Sequence, residues 1–130
     1  LLKDQSMSTF TLHGYQVAVA SWLRKCFGVQ LAADKEERNQ RFFEEACELV
    51  QANGMSQSAA HRLVDYVYGR EVGEVSQEIA GVMVSLSALA ETAGVSVSEA
   101  ANTELERINR PEMIVKINEK QKLKPRFLNQ

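Results

Sequence analysis

The run 74–93 limits the fold more than any other part of the chain. Ile79, Val82, Met83, Leu86, Leu89 and Ala90 recur at helical spacing and cover much of the circumference. A helix apolar on so many sides has to be covered on several of them, so this one is expected to be central. No period-2 alternation of convincing length occurs elsewhere, and only 113–117 also reads as a short strand. The chain is therefore expected to be all-α: an antiparallel helical bundle of about five helices. Its 130 residues suffice for one domain with its own core.

Punctuation residues place the other helices. Thr11 can cap a helix that Gly28 stops, carrying Tyr15, Val19, Trp22, Leu23 and Cys26 on one face. A loop is expected over 29–34. A helix from Asp34 to Asn53 then ends at Gly54, and another starts at Ser56 or Ser58 and ends near Gly69. Two glycines mark a break over 69–73. Gly94 ends the apolar helix. Ser96 and Glu99 form a capping box for the next, and Pro111 suits the first turn of a short last one. Residues 1–10 are expected to be an N-terminal extension, 11–124 the helical domain and 125–130 a flexible tail.

The chemistry concentrates in Phe42-Phe43-Glu44-Glu45-Ala46-Cys47-Glu48-Leu49-Val50. Glu45 and Glu48 are three apart, and Glu44 and Glu48 four apart, so all three share a helix face. Like charges at that spacing repel unless a cation sits among them. A second acidic pair, Glu74 and Glu78, opens the apolar helix. Two glutamate-bearing helices packed together can enclose an ion, as metal-holding bundles do. Carboxylates alone suit Mg²⁺ or Mn²⁺, and so phosphate chemistry. His13 lies at a helix start and His61 on a polar face, which disfavours zinc and Glu-x-x-His iron sites. Spacing alone does not separate this reading from ordinary solvated glutamates.

Other classes lose support. A net charge of −2 gives no overall case for a nucleic-acid polymer or a membrane surface as partner. No apolar run is long enough to span a bilayer. Cys26 and Cys47 both fall in apolar helical patterns and read as buried free thiols of a cytoplasmic protein, with a disulfide between them the unsupported alternative.

Glu44-Glu45-Ala46-Cys47-Glu48 resembles the Glu-Glu-x-x-Glu motif of the MazG-like all-α nucleoside triphosphate pyrophosphohydrolases, and Glu78-Ile79-Ala80-Gly81 falls where that family has Glu-x-x-Asp. Arg38-Asn39-Gln40-Arg41-Phe42 looks like the lead-in of one branch. The resemblance implies Glu45, Glu48 and Glu78 as ligands to Mg²⁺ or Mn²⁺, with Glu74 lending a further oxygen. It implies Glu44, Glu45 and Glu48 as the catalytic carboxylates, with Glu44 an extra ligand or the base. The substrate would be a nucleoside triphosphate, cut to monophosphate and pyrophosphate. Its phosphates would meet Arg38, Arg41, Lys116 and Lys120, with Lys124 in the same basic tail, and its base could stack on Trp22. The 74–93 helix is too apolar all round for a five-helix monomer, which points to a homo-oligomer, dimer or tetramer, and the resemblance implies a homodimer at least. Gly81 departs from the pattern, because glycine offers no side-chain oxygen. A non-catalytic helical oligomer that binds nucleotide or a protein partner is the alternative reading.

Overall fold

A computed structural model describes residues 11–127 of the chain. These are all-helical: α1 (Leu12–Phe27), α2 (Val29–Ala32), α3 (Lys35–Ala52), α4 (Gln57–Tyr68), α5 (Val75–Ala93), α6 (Val97–Ile108) and α7 (Pro111–Gln121). No strand occurs among the described residues, and 113–117 lies inside α7. The described helices number seven rather than about five. The difference comes partly from α2, a single turn in what was expected to be a loop, which follows directly on Gly28 at the end of α1.

The helix starts lie where short polar side chains can accept from orphan amides. Thr11 accepts from the Gly14 N–H, Asp34 from Glu37, Ser56 from Ala59 and Ser96 from Glu99, at 2.9–3.1 Å. Glu74 is itself a cap: its carboxylate takes the N–H groups of Ser76 and Gln77, both at 3.0 Å, and these bonds hold its pKa below the usual carboxylate range. Gly94 closes α5 in the left-handed region, φ 69°, which L side chains adopt only at a cost.

The closest packing joins α1 to α2 and α7, and α6 to α7. A row of polar contacts fastens α1 to the C-terminal part. The Tyr15 hydroxyl donates to the Ala101 carbonyl at 3.1 Å, the Trp22 indole N–H to Ile108 at 2.8 Å, and the Cys26 thiol to Ile114 at 3.6 Å. Asn118 returns a bond to the Cys26 carbonyl at 2.8 Å. Cys26 and Leu105 are buried here, and burial pushes the Cys26 thiol pKa up. Cys47, expected to be buried as well, is exposed: it sits on the side of α3 that faces open grooves.

Residues 124–127 are irregular, yet tied to α3. Lys124 pairs with Glu44 at 2.6 Å, the Arg41 guanidinium donates to the Pro125 carbonyl at 2.7 Å, and Arg126 pairs with Asp34 at 2.7 Å. Gln40 both donates to and accepts from the Phe127 backbone. The rest of the expected tail, 128–130, and the expected extension over 1–10 lie outside the described residues.

The largest departure concerns α5. Expected to be central, it buries only Ala90 in this single chain. Ile79 is 61 % exposed, Val84 71 % and Val75 72 %. Sequence apolarity reports that a surface needs covering; it does not say that the same chain provides the cover. No single described helix is long and apolar enough to cross a membrane.

Candidate functional site

Between α3 and α5 lies an open cleft of about 600 Å³. From α3 come Phe42, Glu45, Ala46, Leu49 and Val50; from α5 come Glu78, Gly81, Val82, Ser85, Leu86 and Leu89. Both sets follow the i, i+3, i+4, i+7 progression of one helix face, so each helix lays a single stripe along the cleft. The walls are largely apolar, and the charged residues among them are Glu45 and Glu78. Thus the two motifs, thirty-three residues apart, contribute one carboxylate each to a shared space.

Gly81 lines the same cleft, three residues after Glu78 on α5. Nothing is within 4 Å of where its Cβ would be, so a side chain here would project into open space. Glu78 is placed by a different glycine. A Cβ on Gly73 would overlap the Glu78 carboxylate, so the backbone of the α4–α5 connection approaches that carboxylate closely.

The other carboxylates of the first motif face elsewhere. Glu44 and Glu48 line a neighbouring groove of about 550 Å³, with Cys47, Ser56 and His61. Glu44 accepts from Lys124 at 2.6 Å and from Arg41 at 3.2 Å. The Lys124 hydrogen bond, with the charges of Lys124 and Arg41, holds its pKa below the usual range. A carboxylate so held stays ionised and is a weak proton acceptor near neutral pH. Glu74, as the cap of α5, already has both oxygens engaged.

The cations expected to meet phosphates are largely committed within the fold. Arg41 pairs with Glu37 at 3.1 Å as well as with Glu44. Arg38 lies over the Phe27 ring, 5.9 Å from its centroid, and 3.6 Å from the Glu37 carboxylate. Glu37, only 2 % exposed, also accepts from Gln121 at 2.7 Å. This buried acid joins α3 to α7, and its fixed partners are what a charge in that position requires. Trp22 is half-buried, bonded to Ile108 and edge-on to Phe27 at 5.6 Å, away from the cleft-lining residues. Lys116 and Lys120 are exposed on α7.

Mg²⁺ is commonly held by one or two carboxylates completed by waters and substrate phosphates, and Glu45 and Glu78 are the carboxylates that line this cleft. A full protein cage is not present, since no group of three or more His, Cys, Asp or Glu able to hold an ion occurs among the described residues. Comparison with protein-family models, with characterised proteins and with solved structures gave no match.

The cleft stripes themselves were open to sequence reasoning but were not assembled there. Positions 42, 45, 46, 49 and 50 against 78, 81, 82, 85, 86 and 89 form two helical stripes, and each holds one glutamate near its start. Pairing the stripes, rather than the motifs, singles out Glu45 and Glu78.

Proposed function

We propose that this chain is a MazG-like nucleoside triphosphate pyrophosphohydrolase that requires Mg²⁺ or Mn²⁺, and that it works as a homodimer or tetramer. The observation that carries the reading is the placement of Glu45 and Glu78 on facing walls of one cleft. Their oxygens would hold the ion, whose contribution is charge neutralisation on the phosphates and a lowered pKa for an attacking water. Phe42, Leu49, Val82 and Leu86 would give the substrate apolar surface to lie against. The products would be a nucleoside monophosphate and pyrophosphate. Glu44, ionised and paired with Lys124, would act by orienting the start of the motif rather than by taking a proton. Glu48 lines the neighbouring groove with Glu44, so in the single chain it stands outside the Glu45–Glu78 cleft.

Oligomerisation would account for the apolar side chains left exposed around α5. Large apolar side chains left in water on a folded chain point to a contact site, and a second copy is the partner the resemblance implies.

The test is pyrophosphate release from a panel of NTPs and dNTPs with millimolar Mg²⁺. Turnover that needs the metal and falls by at least about 100-fold in Glu45→Gln, a loss of roughly 2.7 kcal/mol of transition-state stabilisation, is expected. No turnover on any nucleotide would overturn the reading. A specific observation favours the second reading, a non-catalytic nucleotide-binding oligomer: Gly81 puts no oxygen into the cleft although the space for one is open. On that reading the chain binds nucleotide without releasing pyrophosphate, and Gly81→Asp increases its affinity for Mg²⁺.

A further inference from the structure

Residues 124–127 are held to α3 by charge and hydrogen bonding. Lys124 pairs with Glu44 at 2.6 Å, and Arg126 with Asp34 at 2.7 Å and Glu36 at 3.7 Å. The Arg41 guanidinium donates to the Pro125 carbonyl at 2.7 Å. The Gln40 side chain accepts the Phe127 N–H at 2.8 Å and donates to the Phe127 carbonyl. All of these partners belong to α3 or to its cap. The apolar side chains that could anchor the segment are left in water: Leu123 is 85 % exposed and Phe127 74 %. Pro125 is exposed too. The firm attachment ends just before, where Gln121, the last residue of α7, donates to the buried Glu37 at 2.7 Å. The Lys124 N–H then closes a turn onto the Gln121 carbonyl at 3.2 Å. Partly exposed ion pairs contribute little one by one and are screened by salt. A segment without buried apolar contacts therefore belongs to the low-stability end of the fold and opens without the rest.

We propose that residues 124–127 form a detachable strap on α3, which rising ionic strength opens and whose release uncovers the Arg41 guanidinium and the Glu44 carboxylate. The base of α7 stays fixed by Gln121 while the four residues beyond it leave. Closed, the strap supplies Glu44 with a tethered ammonium ion and occupies one N–H edge of Arg41. Open, Arg41 keeps Glu37 and Glu44 but offers that edge to solvent or to an anion. Glu44 and Glu48, which share the neighbouring groove, then stand there without the Lys124 charge. The strap thus sets the charge of that groove, and it does so independently of any nucleotide.

Trypsin reads the strap directly. To cut after Arg126 it must take that side chain into its specificity pocket and extend the backbone on either side, and the closed strap holds both the Arg126 side chain and the Phe127 backbone. The initial rate of release of residues 127–130 from the full-length protein, followed by mass spectrometry, is divided by the rate from a free peptide of residues 118–130 under the same conditions. The ratio is expected to be well below one at about 50 mM NaCl and to rise at least about threefold by about 500 mM, as screening takes hold. Gln40→Ala and Glu44→Gln, with unchanged helical circular dichroism, should each raise the ratio at low salt by at least about threefold, because each removes ties of the strap and not of the α7 base. A ratio near one at low salt would show that no strap is closed. A low ratio that does not change with salt would show that packing and not charge holds the segment. Either result overturns the proposal.

Discussion

Trp22 was a candidate for stacking on a base, and it also belonged to a regular apolar set. In the fold its indole N–H is satisfied by Ile108 and its ring by Phe27. Trp22→Phe is expected to lower stability by about 1 kcal/mol, the usual net worth of one such hydrogen bond, with nucleotide affinity unchanged by titration. Glu44 carries a pH dependence with a definite sign. Its folded-state pKa lies below the usual value, chiefly through the Lys124 hydrogen bond. The pair therefore stabilises the protein above the ordinary carboxylate pKa, and that contribution disappears as pH falls through the lowered value. Lys124→Met should lower the melting temperature at pH 7, and the gap from wild type should close in acid. A gap that is constant with pH would show that Lys124 acts by packing alone. The periodic position of Trp22 was legible from local sequence. The Glu44–Lys124 pair was not, because it joins residues 80 positions apart and only the packing of the C-terminal segment on α3 brings them together.

At the scale of elements, the caps carried most of the readable information. Thr11, Asp34, Ser56 and Ser96 accept the hydrogen bonds their positions implied, and Gly28, Gly54 and Gly94 take the positive φ that ends a helix. Those are interactions within about one helical turn, so local sequence specifies them. The short α2 escaped notice because a single turn has too few residues to show a period. Cys47 escaped for the opposite reason: α3 is apolar on a broad arc, and only tertiary packing decides which part of that arc is left open. Gly81 offers a test of the element itself. It lies within α5, has open space around it, and as glycine lowers helix propensity. Gly81→Ala should raise stability by roughly 0.5–1 kcal/mol. A destabilised Gly81→Ala would mean that another surface packs against this position.

At the scale of the whole molecule, the all-α class was legible and the distribution of buried surface was not. Hydrophobic patterning identifies the face that must leave water, while the chain that covers it is a matter of assembly. The apolar side chains left exposed around α5, Ile79 and Val84 among them, predict a dimer or larger species by sedimentation at micromolar concentration. Replacing Ile79 and Val84 together by Glu should shift it toward monomer. A wild-type protein that sediments as a monomer would contradict this. The central claim, however, is that α3 and α5 together form one site, through Glu45 and Glu78. A double-mutant cycle on Mg²⁺-dependent pyrophosphate release measures that directly. Groups that act as a unit are non-additive. Glu45→Gln and Glu78→Gln should each abolish most of the turnover, and the double variant should lose little more than either alone. Full turnover in Glu78→Gln, or losses that simply multiply, would contradict the shared site.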